Sequence, residues 1–195
     1  MRREFRVDPI AIDVNLVLQH SIASLYSHLV TRPTGRAVRM AIEAQVAESS
    51  RTSLSLIDLS EVTIIDFSCA DEVVAKLILR FLEEDRPGDA LFVFRGVGEI
   101  HLEPIEAVLH RQSLATVAEV AGRFELLGTR TEDEDHVWTV LQNRGNISLA
   151  DVEDVFPHAN HREALGELVQ RRVVFSAPGG GGYHALSTLL SGVSR

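Results

Sequence analysis

The stretch IIDFSCADEVVAKLILRFLEEDRPGDALFVF, residues 64–94, changes its pattern twice. A short apolar run reaches Asp66, after which apolar residues recur at the three- and four-residue spacing of a helix. Residues 86–88, Arg-Pro-Gly, are typical of a helix end. The continuous apolar run 91–94 that follows is typical of a strand buried on both faces. This stretch therefore predicts a strand, a helix and a second strand in succession.

Alternating patterns continue on both sides of this stretch. Strands that alternate with helices are typical of α/β domains, so we predict an α/β domain over residues 1–130. The predicted strands cover residues 4–13, 54–59 and 91–94, the predicted helices lie near residues 18–29, 34–46, 66–85 and 99–112, and a hairpin is predicted over residues 115–127.

The pattern changes at residues 128–136, GTRTEDEDH, where polar and acidic residues separate two apolar runs as a linker would. Three helical patterns follow, and then two strand-like runs that flank SAPGGGG, residues 176–182. Three helices and a hairpin within about 60 residues are typical of a winged-helix module. We therefore predict a second, small winged-helix domain over residues 131–195.

Composition is that of an ordinary globular protein, with 45% apolar and 24% charged residues. No apolar stretch is long enough to span a membrane, and the first residues lack the apolar core of a signal peptide. Cys69 is the only cysteine, which excludes an intramolecular disulfide. These features predict a cytoplasmic protein. Its net charge of −9 does not favour binding to a polyanion.

Residues 56–66, LIDLSEVTIID, resemble the STAS fold that anti-sigma factor antagonists share with sulfate transporters. In that fold, a strand and turn of the form LDLSGVxxID precede a serine or threonine at the start of a helix. The next residues, SCADE at 68–72, are closer to a STAS-like branch of undefined function that reads LDFxxVxxIxxxFADE. The resemblance covers residues 34–98 and implies a STAS-like mixed sheet with helices.

In anti-sigma factor antagonists, a partner kinase phosphorylates the serine of a DSSG or DTSG motif. The resemblance places Ser68 at that position, so it implies a phosphosite at Ser68. A phosphate at a helix N-terminus would be tolerated by the fold but would repel a docked partner. From the residues themselves we favour the simpler interpretation, that the Ser68 oxygen only caps the helix, with the phosphosite as the alternative. The implied partner is a protein such as a serine kinase or an anti-sigma factor, and the implied partner-binding residues are Asp66, Ser68, Cys69, Asp71 and Glu72.

A winged-helix module offers a second kind of partner, because its third helix, here predicted at residues 161–172, can enter the major groove of DNA. Glu163 and Glu167 share one face of that helix and would repel phosphates, and residues 131–195 carry a net charge of −4. We therefore favour a protein contact or a homodimer contact for this module, with DNA binding as the alternative. The residues that would bind DNA are Arg162, Arg171 and Arg172.

Nothing in the sequence indicates catalysis, because it has no nucleophile–base arrangement and no cofactor fingerprint. His158 and His161 lie on either side of a predicted helix start, so their spacing does not favour zinc. Residues 179–182 are four glycines, but no Lys-Ser/Thr pair follows them. We predict a non-enzymatic regulatory adaptor without metal or cofactor. The alternative is a transcriptional regulator that reads DNA.

Overall fold

The computed structural model describes residues 8–13, 28–48 and 52–190. Strands and helices alternate up to residue 128, and helices with a small sheet follow, so the predicted α/β fold class is confirmed. Residues 4–7 of the first predicted strand, and the helix predicted at 18–29 except its last two residues, lie outside the described residues. Leu29, the last apolar residue of that predicted helix, belongs to a short strand instead.

The N-terminal part of the chain contains seven described strands and three described helices. The strands are β1 (Asp8–Asp13), β2 (His28–Leu29), β3 (Ser53–Asp58), β4 (Ile64–Ile65), β5 (Ala90–Val97), β6 (Ala115–Val120) and β7 (Arg123–Gly128). The helices are α1 (Arg32–Ala47), α2 and α3 (Glu99–Arg111), where α2 runs from α-helical Phe67–Ala70 through π-helical Asp71–Lys76 to α-helical Leu77–Leu82.

Five of these strands form one mixed sheet in the order β1-β3-β5-β6-β7. Strands β1, β3, β5 and β6 are parallel, and β7 forms an antiparallel hairpin with β6, as predicted for residues 115–127. At the centre of the sheet, Leu54 pairs with Leu91 and Leu56 with Val93. The short strands β2 and β4 form a separate parallel pair.

Each face of the five-stranded sheet is covered by a different layer. Helices α1, α2 and α3 cover one face, where Phe81 of α2 and Phe94 of β5 belong to the same buried apolar cluster. On the other face, Leu54 and Leu56 of β3 belong to a cluster that includes the C-terminal segment. Side chains alternate along a strand, so a sheet covered on both faces needs apolar residues at nearly every position. The run in β5 meets this requirement.

The C-terminal segment contains the three helices and the strand pair that the sequence predicts, together with one strand that it does not. Strands β8 and β9 both pair with β10, which is the central strand of this small sheet. The elements are α4 (Glu132–Arg144), β8 (Asn146–Ile147), α5 (Val152–Val155), α6 (Ala159–Gln170), β9 (Val174–Ala177) and β10 (Gly182–Ala185).

The two sides of residue 130 are joined through a shared core. Trp138 of α4 and Val93 of β5 are members of one buried apolar cluster. Arg172 adds a polar connection, because its Nε donates to the carbonyl of Ala90 at 2.8 Å and its guanidinium pairs with Asp89. The C-terminal segment therefore covers the second face of the sheet. The boundary between two domains at residue 130 stays a prediction.

Candidate functional site

The residues that the sequence singles out lie where β4 leads into α2, a turn that we call the corner (residues 64–68). Asp66 caps the helix, because its Oδ1 accepts hydrogen bonds from the N–H of Cys69 at 2.7 Å and from the hydroxyl of Ser68 at 2.8 Å. Its Oδ2 accepts a third hydrogen bond, from the N–H of Thr31 at 3.1 Å. One side chain thus joins β4, α2 and the segment that precedes α1.

The carboxylate of Asp66 is held in its charged form. Burial alone would raise the pKa of Asp66, but the hydrogen bonds from the backbone N–H groups of Cys69 and Thr31 outweigh burial and lower the pKa below its ordinary value. The cap is therefore negatively charged at neutral pH.

Ser68 is half-buried and lies inside the first turn of α2, because the helix begins at Phe67. The sequence-based expectation that Ser68 itself caps the helix is corrected, since Asp66 holds the cap position. The Ser68 hydroxyl donates to Asp66, so a phosphate on this oxygen would remove that hydrogen bond and place negative charge beside a carboxylate.

Cys69 supports the corner from inside the protein. Its side chain is fully buried, and its Sγ donates to the carbonyl of Thr31 at 2.9 Å. Burial, with a further contribution from the Asp66 carboxylate, raises the pKa of the Cys69 thiol to about 12. The thiol is therefore protonated and inert, and Cys69 does not reach a partner at the surface.

Asp71 and Glu72, which the resemblance assigns to the partner-binding surface, are only 3% and 2% exposed. Their carboxylates pair with positively charged side chains. The two residues therefore stabilise the corner from inside and are not part of the surface that a partner would contact. We call these two residues and their cations the ion cluster. The cations are Arg32, Arg39, Lys76 and Arg111.

The ion cluster connects three helices. Nη1 of Arg32 lies 2.7 Å from Oδ2 of Asp71 and 3.0 Å from Oε1 of Glu72, and Nε of Arg39 lies 3.3 Å from Oε2 of Glu72. Both arginines belong to α1, whereas Arg111, the last residue of α3, pairs with Asp71. Because both carboxylates are on α2, the cluster fixes α1 and α3 against it.

Burial alone would raise the pKa of both acidic residues. A hydrogen bond from Arg32 to Asp71, and hydrogen bonds from Lys76 and Arg32 to Glu72, outweigh burial and lower both pKa values. The two carboxylates are therefore charged at neutral pH although they are buried.

The helix is π-helical over Asp71–Lys76, so the acidic pair lies at the start of a widened turn. Residues 71–75 are all buried, because α2 packs against α1, α3 and the sheet. π-Helical turns occur frequently at functional sites. Here the widened turn begins three residues after the last residue of the corner.

Thr31 is in a strained conformation beside the corner, with φ 79° and ψ 137°. Positive φ is a clear outlier for a β-branched residue and is found where surrounding contacts enforce it. The contacts at Thr31 are its N–H to Asp66, and its carbonyl, which accepts from Cys69 and from the N–H of Gly35 at 3.2 Å. The chain is thus held in this conformation from both sides.

Apolar side chains are exposed around the same turn. Phe67 is 52% exposed, Ile64 is 48% exposed and Val30 is 40% exposed. We call these three residues the corner patch. The other large apolar side chains that are exposed within the described ranges are Met40, Ile100 and Leu149.

The three arginines that would bind DNA all make contacts within the protein. Nη1 of Arg162 donates to the carbonyls of Phe156 at 2.7 Å and Pro157 at 2.8 Å. Nη1 of Arg171 lies 2.6 Å from Oε1 of Glu134, and Arg172 binds Asp89 and Ala90 on the sheet. The guanidinium groups of Arg171 and Arg172 are thus neutralised by carboxylates inside the molecule.

Three histidines of the C-terminal segment, His136, His158 and His161, lie close together. The ring centroid of His161 lies 4.7 Å from that of His136 and 5.4 Å from that of His158, and its Nε2 lies 3.4 Å from Oδ1 of Asp133. Among the residues that the structure describes, no group of three or more histidine, cysteine or acidic side chains is arranged to hold a metal ion.

The corner and the ion cluster depend on residues that the sequence does not single out. Thr31 precedes Asp66 by 35 positions and Arg111 follows Asp71 by 40, so no local pattern joins them. The sequence does contain one signal for these contacts, the adjacent acidic pair Asp71-Glu72 on an apolar helix. Buried charges require partners, so such a pair indicates that basic residues from elsewhere in the chain bind it.

No match is found for this chain among protein-family models, among curated protein sequences or among solved structures. Within the described part of the chain, no helix combines the length and the apolar character that crossing a membrane requires.

The close contact of α1 with α2 at the corner gives a prediction about Gly35. A Cβ at this position would lie 2.9 Å from Cα of Cys69 and 3.1 Å from Cβ of Glu72. Alanine gains about 1 kcal/mol in helix propensity, but the overpacking costs roughly 1–3 kcal/mol. We expect Gly35→Ala to lower the free energy of unfolding by about 1 kcal/mol, measured by urea denaturation.

Gly166 of α6 is the matched control, because a Cβ there would meet nothing within 4 Å. Gly166→Ala should raise the free energy of unfolding by about 0.5–1 kcal/mol. Stabilisation by both substitutions would show that the approach of α1 to Cys69 is looser than described.

Proposed function

We propose that this chain is a non-enzymatic regulatory adaptor that binds a protein partner through the corner and its patch. The observation that carries this proposal is that Ile64 and Phe67 are about half exposed on a turn held by charged and hydrogen-bonded groups. Exposed apolar side chains on a rigid frame are typical of protein-binding surfaces, because little ordering entropy is lost on association. A cytoplasmic location belongs to this proposal, and the single cysteine of the sequence supports it.

Phosphorylation of Ser68 is the proposed control of this binding. The hydroxyl is half-buried beside exposed Phe67, so a phosphate would add bulk and about two negative charges next to the patch. The fold would keep its other supports, because the ion cluster and the buried Cys69 do not depend on the Ser68 hydroxyl. The proposed partner is then a serine kinase or a protein that such a kinase regulates, such as an anti-sigma factor.

The test is affinity capture from native extract with the full-length chain and two variants. Phe67→Glu places a charge in the corner patch, and Leu149→Glu places the same charge at an exposed apolar position of the C-terminal segment. A partner of the proposed surface is captured by the wild type and by Leu149→Glu, and is lost with Phe67→Glu. If the captured proteins are the same for all three baits, the corner is not the binding surface.

For a partner identified in this way, we expect Ser68→Asp to weaken binding by at least about 10-fold, because a charge in the first turn of α2 opposes docking. Isothermal titration calorimetry on the purified pair measures this change. Thr139→Asp on the exposed side of α4 is the control and should leave the affinity unchanged. Co-expression with a candidate serine kinase, followed by intact-mass measurement, tests the modification itself. A phosphate at another residue, or equal affinity of Ser68→Asp and wild type, would count against the switch.

The alternative function is DNA binding by the C-terminal segment. The order of its elements is helix, strand, two helices and a strand pair, which agrees with the winged-helix prediction and supports this alternative. Its arginines support it less, because Arg171 and Arg172 pair with Glu134 and Asp89. A mobility-shift assay with duplex DNA at physiological salt decides between the two functions, since tight binding there would favour the DNA reader.

A further inference from the structure

The members of the corner patch face solvent together. Leu29 of β2 pairs in register with Ile65 of β4, and both side chains are buried. Side chains alternate along strands, so Val30 and Ile64, each one residue away from this pair, project to the opposite, outer face. Phe67 follows Ile65 by two residues at the start of α2. Phe67 lies in α2, where the alternation of a strand no longer applies, and is 52% exposed, so all three side chains are exposed around the same turn.

Positive charge lies beside this surface. Arg32 follows Val30 by two residues, and its side chain is 50% exposed although it binds Asp71 and Glu72. Arg36 lies one helical turn further along α1, is exposed, and forms no ion pair with any residue that the structure describes. We call Arg32 and Arg36 the basic rim.

Three acidic residues near this surface, Asp66, Asp71 and Glu72, are bound by groups within the protein. The carboxylates of Asp71 and Glu72 are buried beneath the cations of the ion cluster. The carboxylate of Asp66 stays negatively charged, but both of its oxygens accept hydrogen bonds from within the protein. The guanidinium groups of the basic rim are therefore exposed to solvent next to an apolar patch, although the net charge of the chain is −9.

We propose that the corner patch and the basic rim bind an acidic protein segment that carries large apolar side chains. The apolar side chains would pack against Val30, Ile64 and Phe67, and the carboxylates would pair with Arg32 and Arg36. This inference rests on the proposed function and specifies the chemistry of its partner. It also explains why phosphate on Ser68 would release the partner, since the phosphate adds negative charge where an acidic segment docks.

A random twelve-residue peptide library displayed on phage is the probe. The library is selected on the immobilised full-length wild type, and binders are counted by sequencing. We expect enrichment of peptides that combine several Asp or Glu residues with Leu, Phe or Trp. Phe67→Glu should lose this enrichment, and Leu149→Glu should retain it.

One enriched peptide is then synthesised and its affinity is measured by fluorescence anisotropy. We expect Phe67→Glu to weaken binding about 30-fold, as for a central apolar contact. Arg36→Glu should weaken binding about 10-fold and make it less sensitive to salt, because one exposed charge pair is lost and a repulsion is added. Both substituted residues are exposed, and thermal unfolding checks that the two variants fold.

Each outcome decides the proposal. Neutral or basic peptides that still depend on Phe67 would overturn the acidic chemistry but leave the corner as a protein-binding surface. Enrichment that does not depend on Phe67, or no enrichment, would overturn the docking site itself. Binding of a single-stranded DNA 20-mer that is lost in Arg36→Glu but kept in Phe67→Glu would assign the basic rim to nucleic acid. That result would also overturn the proposed docking of an acidic protein segment. Loss of a native partner in Phe67→Glu tests the proposed function separately.

Discussion

Phe156→Ala is expected to lower the free energy of unfolding by about 3–5 kcal/mol, as is typical when a fully buried phenylalanine is truncated. Phe156 is 0% exposed and belongs to the apolar cluster that the C-terminal segment shares with strands β3 and β5. The substitution leaves a cavity in that shared core. Urea denaturation followed by tryptophan fluorescence measures the loss, because Trp138 is a member of the same cluster.

Phe67→Ala is the control for this prediction. Phe67 is half exposed, so removing its ring leaves no closed cavity, and the free energy of unfolding should change by less than about 0.5 kcal/mol. The same ring is proposed to contact the partner, so binding should weaken while stability is kept. Similar losses of stability in the two variants would mean that Phe67 packs inside the protein, and the corner patch would then not exist as described.

Glu72→Ala is expected to lower the free energy of unfolding by about 3 kcal/mol, at the lower end of the range for breaking a buried ion pair. The substitution leaves Arg39, which is largely buried, without one of its carboxylates. Arg32 and Lys76 are more exposed and can turn to water or to Asp71, which limits the cost. Glu84→Ala, at an exposed acidic residue, should change stability by less than about 0.5 kcal/mol under the same conditions.

The same cluster predicts how stability depends on pH. The pKa values of Asp71 and Glu72 are lowered in the folded protein, so their contribution is complete above the unfolded pKa values and is lost as the pH falls through the folded ones. The free energy of unfolding of the wild type should therefore decrease as the pH is lowered from about 5. Glu72→Gln should reduce the steepness of this decrease. An unchanged slope would indicate that the pKa of Glu72 is the same in the folded and the unfolded state.

Much of the fold could be predicted from the sequence because the patterns that define it are local. The change of period after Asp66 predicts the β4–α2 junction, and the apolar run at 91–94 predicts a central strand that β5 contains. Pairing between distant segments could not be predicted in this way. The packing of the C-terminal segment on the sheet depends on Leu54 and Leu56, whose alternation with serine indicates only that one face of β3 is apolar.

The candidate site could be located from the sequence, but the roles of its residues could not be assigned. Asp66 and Ser68 lie at the predicted turn, whereas Cys69, Asp71 and Glu72 are buried. The two carboxylates can be buried because they pair with cations, among them Arg32 of α1 and Arg111 of α3. A single sequence does not indicate which distant arginine will reach a given carboxylate. The exposure of Phe67 likewise depends on the packing of its neighbours.

The π-helical turn at Asp71–Lys76 makes helix α2 sensitive to its length. In an α-helix each residue advances the side chains by about 100°, and a π-helical turn holds about one residue more than an α-helical turn. The removal of one residue would therefore either rotate the corner relative to Leu77–Leu82 or close the widened turn and reposition Asp71 and Glu72. Phe67 and the acidic pair would then lose their present orientation relative to Leu77–Leu82, the part of α2 that packs in the core. Homologous chains that keep this surface should therefore tolerate insertions and deletions elsewhere, but keep the number of residues between Asp66 and Phe81 constant.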